Sequence, residues 1–324
     1  MKVLHVNNVA NVPEGLVRGL NSIGVEAHLF QPFTGINKTG RFAKLSVLAH
    51  RIRDTRLVAK QVLKENYDIV HIHYAYFGIL GILGGYQYWL HCHGTDIRRN
   101  LNNPAYGKIT SLSLMRAKRV LYSTPDLKKY ADKIRPDAVF LPNPIQTDKF
   151  KPRSLKGTDG KILLISRIDK VKGIDTAFKA FEILKKQNPT VQIDVFSWGP
   201  DLARFKNKQF VNFIPTVKHE ELGELISNYQ IIVGQFDLGI MGMSEMEAMA
   251  CARPVVSYFK YQDWYAEAPP LISTKNEVEI AAQIEGLLAK PKLCEEIGQA
   301  GRGWVIKYHD YIAVAKKLAE LYKR

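Results

Sequence analysis

Only three cysteines occur in 324 residues, Cys92, Cys251 and Cys294, and no two of them form a C-x-x-C pair. Odd in number and set in apolar surroundings, they fit buried reduced thiols of a cytoplasmic protein better than a disulfide or zinc framework. No apolar run approaches the roughly 20 residues of a spanning helix. The chain opens directly on the strand pattern Lys2 to Val6, so neither a signal peptide nor a transmembrane segment is expected. A G-x-G-x-x-G turn is missing from both halves. Asn7-Asn8-Val9-Ala10-Asn11 and Ser166-Arg167-Ile168-Asp169 occupy the first strand–helix turns instead, which argues against a dinucleotide cofactor. The P-loop signature and any Asp-x-Asp pair for Mg²⁺ are absent too. No cofactor and no metal are therefore expected, and a bound diphosphate would be neutralised by side-chain cations and helix N-termini.

What is present suits two globular domains: 324 residues, 46% of them hydrophobic. The formal net charge of +15 is uneven, because residues 1–156 hold 24 Lys and Arg against 10 Asp and Glu, whereas residues 157–324 hold 22 against 21. A basic face on the first domain attracts an anionic partner, or serves solubility alone. The basic residues come with no stacking-aromatic motif and no helix-turn-helix pattern, which counts against nucleic acid.

Strand and helix patterns alternate almost throughout. In the first half, strands are expected at Lys2 to Val6, Val25 to Phe30, from Asp68, at Tyr88 to Cys92, near Tyr122 and at Val139 to Leu141, with a helix from Pro13. Arg41 to Glu65 reads as a basic amphipathic helix in which Lys44, Arg51, Arg53, Arg56, Lys60 and Lys64 interleave with Leu45, Leu48, Ile52, Leu57, Val58 and Leu63. It is expected to pack on its own domain, with contact to an anionic membrane as an extra role. Pro142-Asn143-Pro144 and the patternless stretch to Gly160 mark the boundary between domains 1–145 and 146–306. The second half repeats the rhythm, so the fold class is α/β, two doubly wound units.

The most informative stretch is Ile231 to Val256, which reads as strand, Gly-containing loop, helix and strand. Such a loop lies at the carboxyl end of a parallel sheet, where N–H groups at a helix start make a phosphate-sized anion site. Glu247, in the first turns of that helix, could accept hydrogen bonds from a sugar diol or merely complement the helix dipole. Arg167 and Lys172 have the character of a diphosphate clamp, a forked donor and a point charge, although alone they are ordinary surface residues.

Five elements in register resemble the retaining nucleotide-sugar glycosyltransferases of the GT-B fold, the large group of sucrose-synthase-like and mannosyltransferase enzymes. They are His93-Gly94-Thr95-Asp96; Pro142-Asn143-Pro144-Ile145 with Phe150 and Pro152; Ser166-Arg167 with Lys172-Gly173; Trp198-Gly199-Pro200-Asp201; and Glu247-Ala248-Met249-Ala250-Cys251 with Pro254-Val255-Val256. The resemblance implies two Rossmann-like domains facing across a cleft, acceptor on the first and nucleotide sugar on the second, with the helix 307–324 packing back onto the first. It implies Arg167 and Lys172 as the diphosphate clamp, Glu247 on the ribose, His93 and Asp96 at the reacting sugar, and Asn8, Ala10 and Asn11 on the acceptor side. Gly199, Pro215, Gly239, Ile240, Met241, Gly242 and Met243 complete the donor site. The donor would be UDP-, GDP- or ADP-linked; the acceptor would be anionic or lipid-linked, at the inner membrane face. One departure stands out. Gly239 occupies the place of the first of two paired glutamates, with Asp237 as a substitute acid, and the loop at Ala10 lacks the usual glycines. A protein that binds a nucleotide sugar without transferring it is the alternative.

Overall fold

The computed structural model describes residues 1–33, 41–154 and 158–324. The side chains of residues 41–45, among them Lys44 and Leu45, and residues 155–157 of the expected boundary segment lie outside the described residues. The chain forms two compact units, Met1–Pro144 with Tyr311–Arg324, and Ile145–Asp310.

The first unit is built on a parallel sheet of β1 (Lys2–Val6), β2 (Glu26–Phe30), β3 (Ile69–His73), β4 (Trp89–Cys92), β5 (Arg119–Tyr122) and β6 (Val139–Phe140), ordered β2-β1-β3-β4-β5-β6. Both faces are covered, so the central strands are buried along nearly their whole length. Leu4, Val6, Ile72 and Leu90 have no exposed surface. The register sets His5 opposite His71 and His73 opposite His91. Because strand side chains alternate, these residues share one face of the sheet.

Helix α1 (Val12–Ser22) carries Pro13 in its first turn, buries Leu16 and Leu20, and packs on the C-terminal helix Tyr311–Tyr322. The loop before it does not need the glycines it lacks. Asn7, Ala10 and Asn11 take left-handed backbone conformations, with φ of 78°, 50° and 57°, so the expected bulkier loop keeps a glycine-type path. Asparagine tolerates that region; alanine is strained there. Ala10→Gly is expected to raise stability by about 1 kcal/mol in urea unfolding.

Helix α2 (Arg41–Glu65) departs from the expected inward packing of its apolar residues. Val58 is buried as expected, but so are Arg51 and Asp54, while Leu48, Ile52, Leu57 and Leu63 are exposed, Leu63 at 80%. The reason is local. The Arg51 guanidinium lies over the Tyr76 and Phe77 rings and donates to the Phe33 carbonyl, and Asp54 accepts from the Phe33 N–H. Polar anchors turn the leucines outward among Arg53, Arg56, Lys60 and Lys64.

The second unit has its own parallel sheet of β7 (Lys161–Leu164), β8 (Gln192–Phe196), β9 (Asn212–Ile214), β10 (Ile231–Val233), β11 (Val255–Ser257) and β12 (Ile272–Ser273), ordered β12-β11-β10-β7-β8-β9. On one face Ile162 and Leu164 pack with Phe178, Phe181 and Ile284 from the helices Ile174–Gln187 and Glu277–Leu288. On the other, Leu163 and Ile165 pack with Ile226, Met246, Met249 and Val305. The chain winds from β7 outward in one direction and from β10 in the other. The gap between their carboxyl ends is the topological switch point, where ligands of such sheets bind.

Candidate functional site

Two sets of candidate residues emerge, one in each unit. In the second, the turns after β7 and β10 meet at the switch point. Asp169 organises the first turn: one carboxylate oxygen accepts from the Val171 N–H at 3.1 Å, and the other pairs with the Arg167 guanidinium at 2.6 Å. This fixes the root of Arg167 while its side chain remains 38% exposed. Lys172 then reaches the β10 loop, its Nζ donating to Gln235 Oε1 at 3.2 Å. Gln235, with no exposed surface, donates on to the Ile240 carbonyl at 3.0 Å. The backbones also join, because the Phe236 N–H donates to the Lys172 carbonyl at 2.9 Å. Gly173 permits the approach. Its φ is 69°, and a Cβ there would stand 2.8 Å from the Phe236 carbonyl carbon. Lys172 and the loop Gly234 to Gly242 thus form one assembly; Gln235, the side chain that links them, was not singled out in the sequence.

That loop delivers the helix Met243–Ala250, whose N-cap, Gly242, supplies no side-chain hydrogen bond. Among the described residues no side chain caps the N–H groups from Met243 onward, and the Glu245 carboxylate packs against Gly242 beside them. Ile240 and Met241 are buried against the unit, and their side chains serve the core. Glu247 lies in the second turn of the helix, not at its mouth. Only 2% exposed, its carboxylate is held 2.7 Å from His219 Nε2, at the start of the helix His219–Ile226. It therefore faces the segment that follows β9, where Pro215 and Thr216 are exposed. Trp198, at the end of β8, is 47% exposed, and Gly199 follows it against the backbone of Ile168.

The acids around Gly239 are arranged differently from expectation. Asp237 is exposed and pairs with Lys275 at 3.7 Å. Gly239 itself has φ 67°, and the space a side chain would take is filled by Lys260 and Tyr258. The carboxylate that does border the loop is Glu245, 4% exposed and packed against Gly234 and Gly242. In sequence it looked like one more charged residue of a helix, and only its burial distinguishes it.

In the first unit, β4 runs into His93-Gly94-Thr95-Asp96. Asp96 has no exposed surface, and its carboxylate accepts from the backbone N–H groups of His93, Gly94, Ile97 and Ala75. Burial raises its pKa, and those backbone donors pull the other way. With its oxygens so occupied, Asp96 holds the turn in shape. Gly94, at φ 134° and ψ −87°, makes that turn feasible. His93 stands above, its Nε2 2.9 Å from His73 Nδ1. Burial lowers its pKa to about 3, so the imidazole is neutral at pH 7. Asn8 is engaged with the start of α1, its Oδ1 accepting from the Glu14 N–H, and Asn11 is the residue before that helix. Asn7 Nδ2 donates to the His73 carbonyl, tying this loop to β3.

Comparison with known proteins followed the same division. Residues 145–304 match the model of the family "Glycosyl transferases group 1", and residues 9–149 match "Glycosyltransferase Family 4". Among curated proteins none matches the sequence significantly. A sucrose-phosphate synthase structure from Thermosynechococcus elongatus is similar over 100% of this chain and 98% of its own, with TM-score 0.75 and 16% identity. Alr3699/HepE of Anabaena, solved with UDP and glucose, is similar over 100% and 99%, with TM-score 0.71 and 13% identity. A glycosyltransferase from Rickettsia africae is similar over 99% and 97%, with TM-score 0.69 and 15% identity. Two parallel six-stranded sheets with flanking helices are the GT-B architecture of these structures.

Proposed function

We propose, because this chain belongs to the group 1 glycosyltransferases, that it moves a sugar from a nucleoside-diphosphate donor to an acceptor, with retention of configuration and without a metal at the diphosphate. The observation that carries the donor reading is the assembly of Lys172, Gln235 and the β10 loop at the switch point, with Arg167 anchored on Asp169 in the same turn. As the glycosidic bond breaks, negative charge grows on the leaving phosphate oxygen. A fixed ammonium, a forked guanidinium and aimed N–H groups stabilise that charge without reorganising. Glu247, steadied by His219, is the ribose acceptor of hydrogen bonds. Neutral His93 supplies a hydrogen bond to a sugar hydroxyl, and Asn8, Ala10 and Asn11 border the acceptor. UDP is the first nucleotide to try, given the ligand of the Anabaena protein, with GDP and ADP beside it. A bound nucleotide at about 100 times its Kd should stabilise the fold by about 2.7 kcal/mol; no stabilisation by any of the three would defeat the reading.

The acceptor is placed on the first unit, anionic or lipid-linked, at the cytoplasmic face of a membrane. Supporting this are the basic excess of residues 1–156 and the exposed leucines of α2 among its arginines and lysines. No described helix is long and apolar enough to cross a membrane; the proposed contact is peripheral, through the exposed leucines and basic residues of α2. The chain is expected to sediment with phosphatidylglycerol vesicles at low salt, more weakly at 0.5 M NaCl, and several-fold more weakly with Leu57→Ser and Leu63→Ser together. Indifference to lipid charge would remove the membrane from the account.

A second reading, binding without transfer, is favoured by one observation: Lys260 and Tyr258 fill the place where an acid is expected at Gly239. Stabilisation by UDP with no sugar transfer to any lipid-linked acceptor is the outcome that would support it.

A further inference from the structure

Five histidines gather beneath the C-terminal helix in the first unit, and the glycosyltransferase reading uses one of them. Two His-x-His pairs, His71 with His73 and His91 with His93, extend from neighbouring strands onto one face, and His5 faces His71 from β1. The rings of His5, His71, His73 and His91 have no exposed surface, and neighbouring centroids stand 4.4–5.4 Å apart. His5 Nδ1 and His73 Nε2 face each other at 2.8 Å. Among the described residues, the buried His71 Nε2 has no hydrogen-bond partner. A buried ring nitrogen left without a partner is costly and calls for a group that binds it.

We infer that His5, His71 and His73 form a binding site for one late first-row divalent ion of the Zn²⁺ type. One nitrogen from each of the three residues lies within 4.8 Å of the other two. Taking His5 Nδ1, His71 Nε2 and His73 Nε2 as the ligand atoms, every outer nitrogen already has a neighbour. His71 Nδ1 bonds to Tyr322 Oη at 2.5 Å, His5 Nε2 lies 3.5 Å from the same oxygen, and His73 Nδ1 meets His93 Nε2 at 2.9 Å. An outer hydrogen bond on each imidazole is the arrangement that orients metal-bound histidines. The second possible trio, His73, His91 and His93, fails this criterion, because among the described residues both nitrogens of His91 lack partners and ligation would satisfy only one.

The rings now stack, and binding needs them to turn about the soft χ2 torsion. Metal–nitrogen bonds of about 2.0–2.1 Å at a tetrahedral angle set the nitrogens about 3.4 Å apart, so the His5–His73 gap opens by about half an ångström. Uncharged imidazoles keep their lone pairs available at neutral pH. A trio of imidazoles without a carboxylate selects Zn²⁺, Co²⁺, Ni²⁺ or Cu²⁺ over Mg²⁺ or Ca²⁺. The ion would join β1 to β3 and, through Tyr322, hold the C-terminal helix. It is separate from the diphosphate site, and its test needs no transfer activity.

The full chain, stripped with EDTA and dialysed, is titrated with ZnCl₂ by calorimetry and with CoCl₂ by visible absorption. One equivalent per chain and tetrahedral Co²⁺ bands at about 500–650 nm are expected, with no response to MgCl₂. His71→Phe and His5→Phe should each lose at least 100-fold in affinity, whereas His28→Ala and His50→Ala, outside the cluster, should match the parent. Should the core variants fail to fold, Tyr322→Phe decides, with affinity 10–100-fold lower through the lost outer contact. No binding by the parent chain, parent-like binding by a folded His71→Phe, or, where that variant does not fold, parent-like binding by Tyr322→Phe overturns the site.

Discussion

Lowering the pH from 7 to about 4.5 is expected to cost the first unit more than 5 kcal/mol, enough to unfold it. The histidine cluster is the cause. In the unfolded chain each imidazole takes up a proton near pH 6.5; in the folded unit, burial lowers the pKa of His5 and of His93 to about 3. Their contribution to stability is fully present above about pH 6.5 and is lost as pH falls toward 3, because the unfolded chain then binds more protons. At about 1.4 kcal/mol per pH unit per group, these two remove about 5 kcal/mol by pH 4.5. Burial and the neighbouring imidazoles shift His71, His73 and His91 the same way, well below the ordinary value. Asp96 acts in the opposite direction, since burial raises its carboxyl pKa, but it is one group against five. An ion held by the trio keeps the sign, because it too binds the unprotonated ring. Circular dichroism across a pH series would follow the loss, and His91→Phe, which deletes a titrating ring that has no hydrogen-bond partner among the described residues, should shift the midpoint to lower pH. A first unit fully folded at pH 4 would contradict the buried, uncharged cluster.

The second large effect is on catalysis. Lys172→Ala is expected to lower sugar transfer about 10²–10³-fold, equivalent to about 2.7–4 kcal/mol of lost transition-state stabilisation. The loss should fall on kcat as well as kcat/KM, because charge on the leaving phosphate is larger in the transition state than in the bound donor. The fold should survive. Gln235 retains its bond to Ile240, the Phe236-to-Lys172 contact is between backbone atoms, and Gly173 is untouched. Steady-state rates beside a thermal unfolding curve would check both statements. Turnover within threefold of the parent would remove Lys172 from the mechanism.

Much of the architecture was legible because parallel strands buried on both faces read as short apolar runs between helix patterns, as at Lys161 to Leu164 and Ile231 to Val233. The two-residue β12 was harder, since its extent is set by pairing with β11. Helix α2 misleads for a related reason. Its interleaved charges and leucines do not say which set faces inward, and Arg51 and Asp54 find their partners in Phe33, Tyr76 and Phe77, distant in sequence. At the site, Arg167 and Lys172 were visible through their place beside a strand end. Gln235, His219 and Glu245 were not, because each acquires its position only when β7, β9 and β10 come together. The His-x-His pairs were written plainly in the chain, but only the register of β1, β3 and β4 makes them one cluster.

The central claim is that one diphosphate is held by Arg167, Lys172 and the start of the helix Met243–Ala250. Calorimetric titration of UDP, GDP and ADP into the parent chain and the Arg167→Ala, Lys172→Ala double variant, with EDTA present, tests it most directly. The account predicts saturable binding of at least one nucleotide by the parent, unaffected by EDTA, and at least a 100-fold weaker Kd in the folded double variant. Equal affinity in the two proteins, or binding that disappears with EDTA, would contradict it.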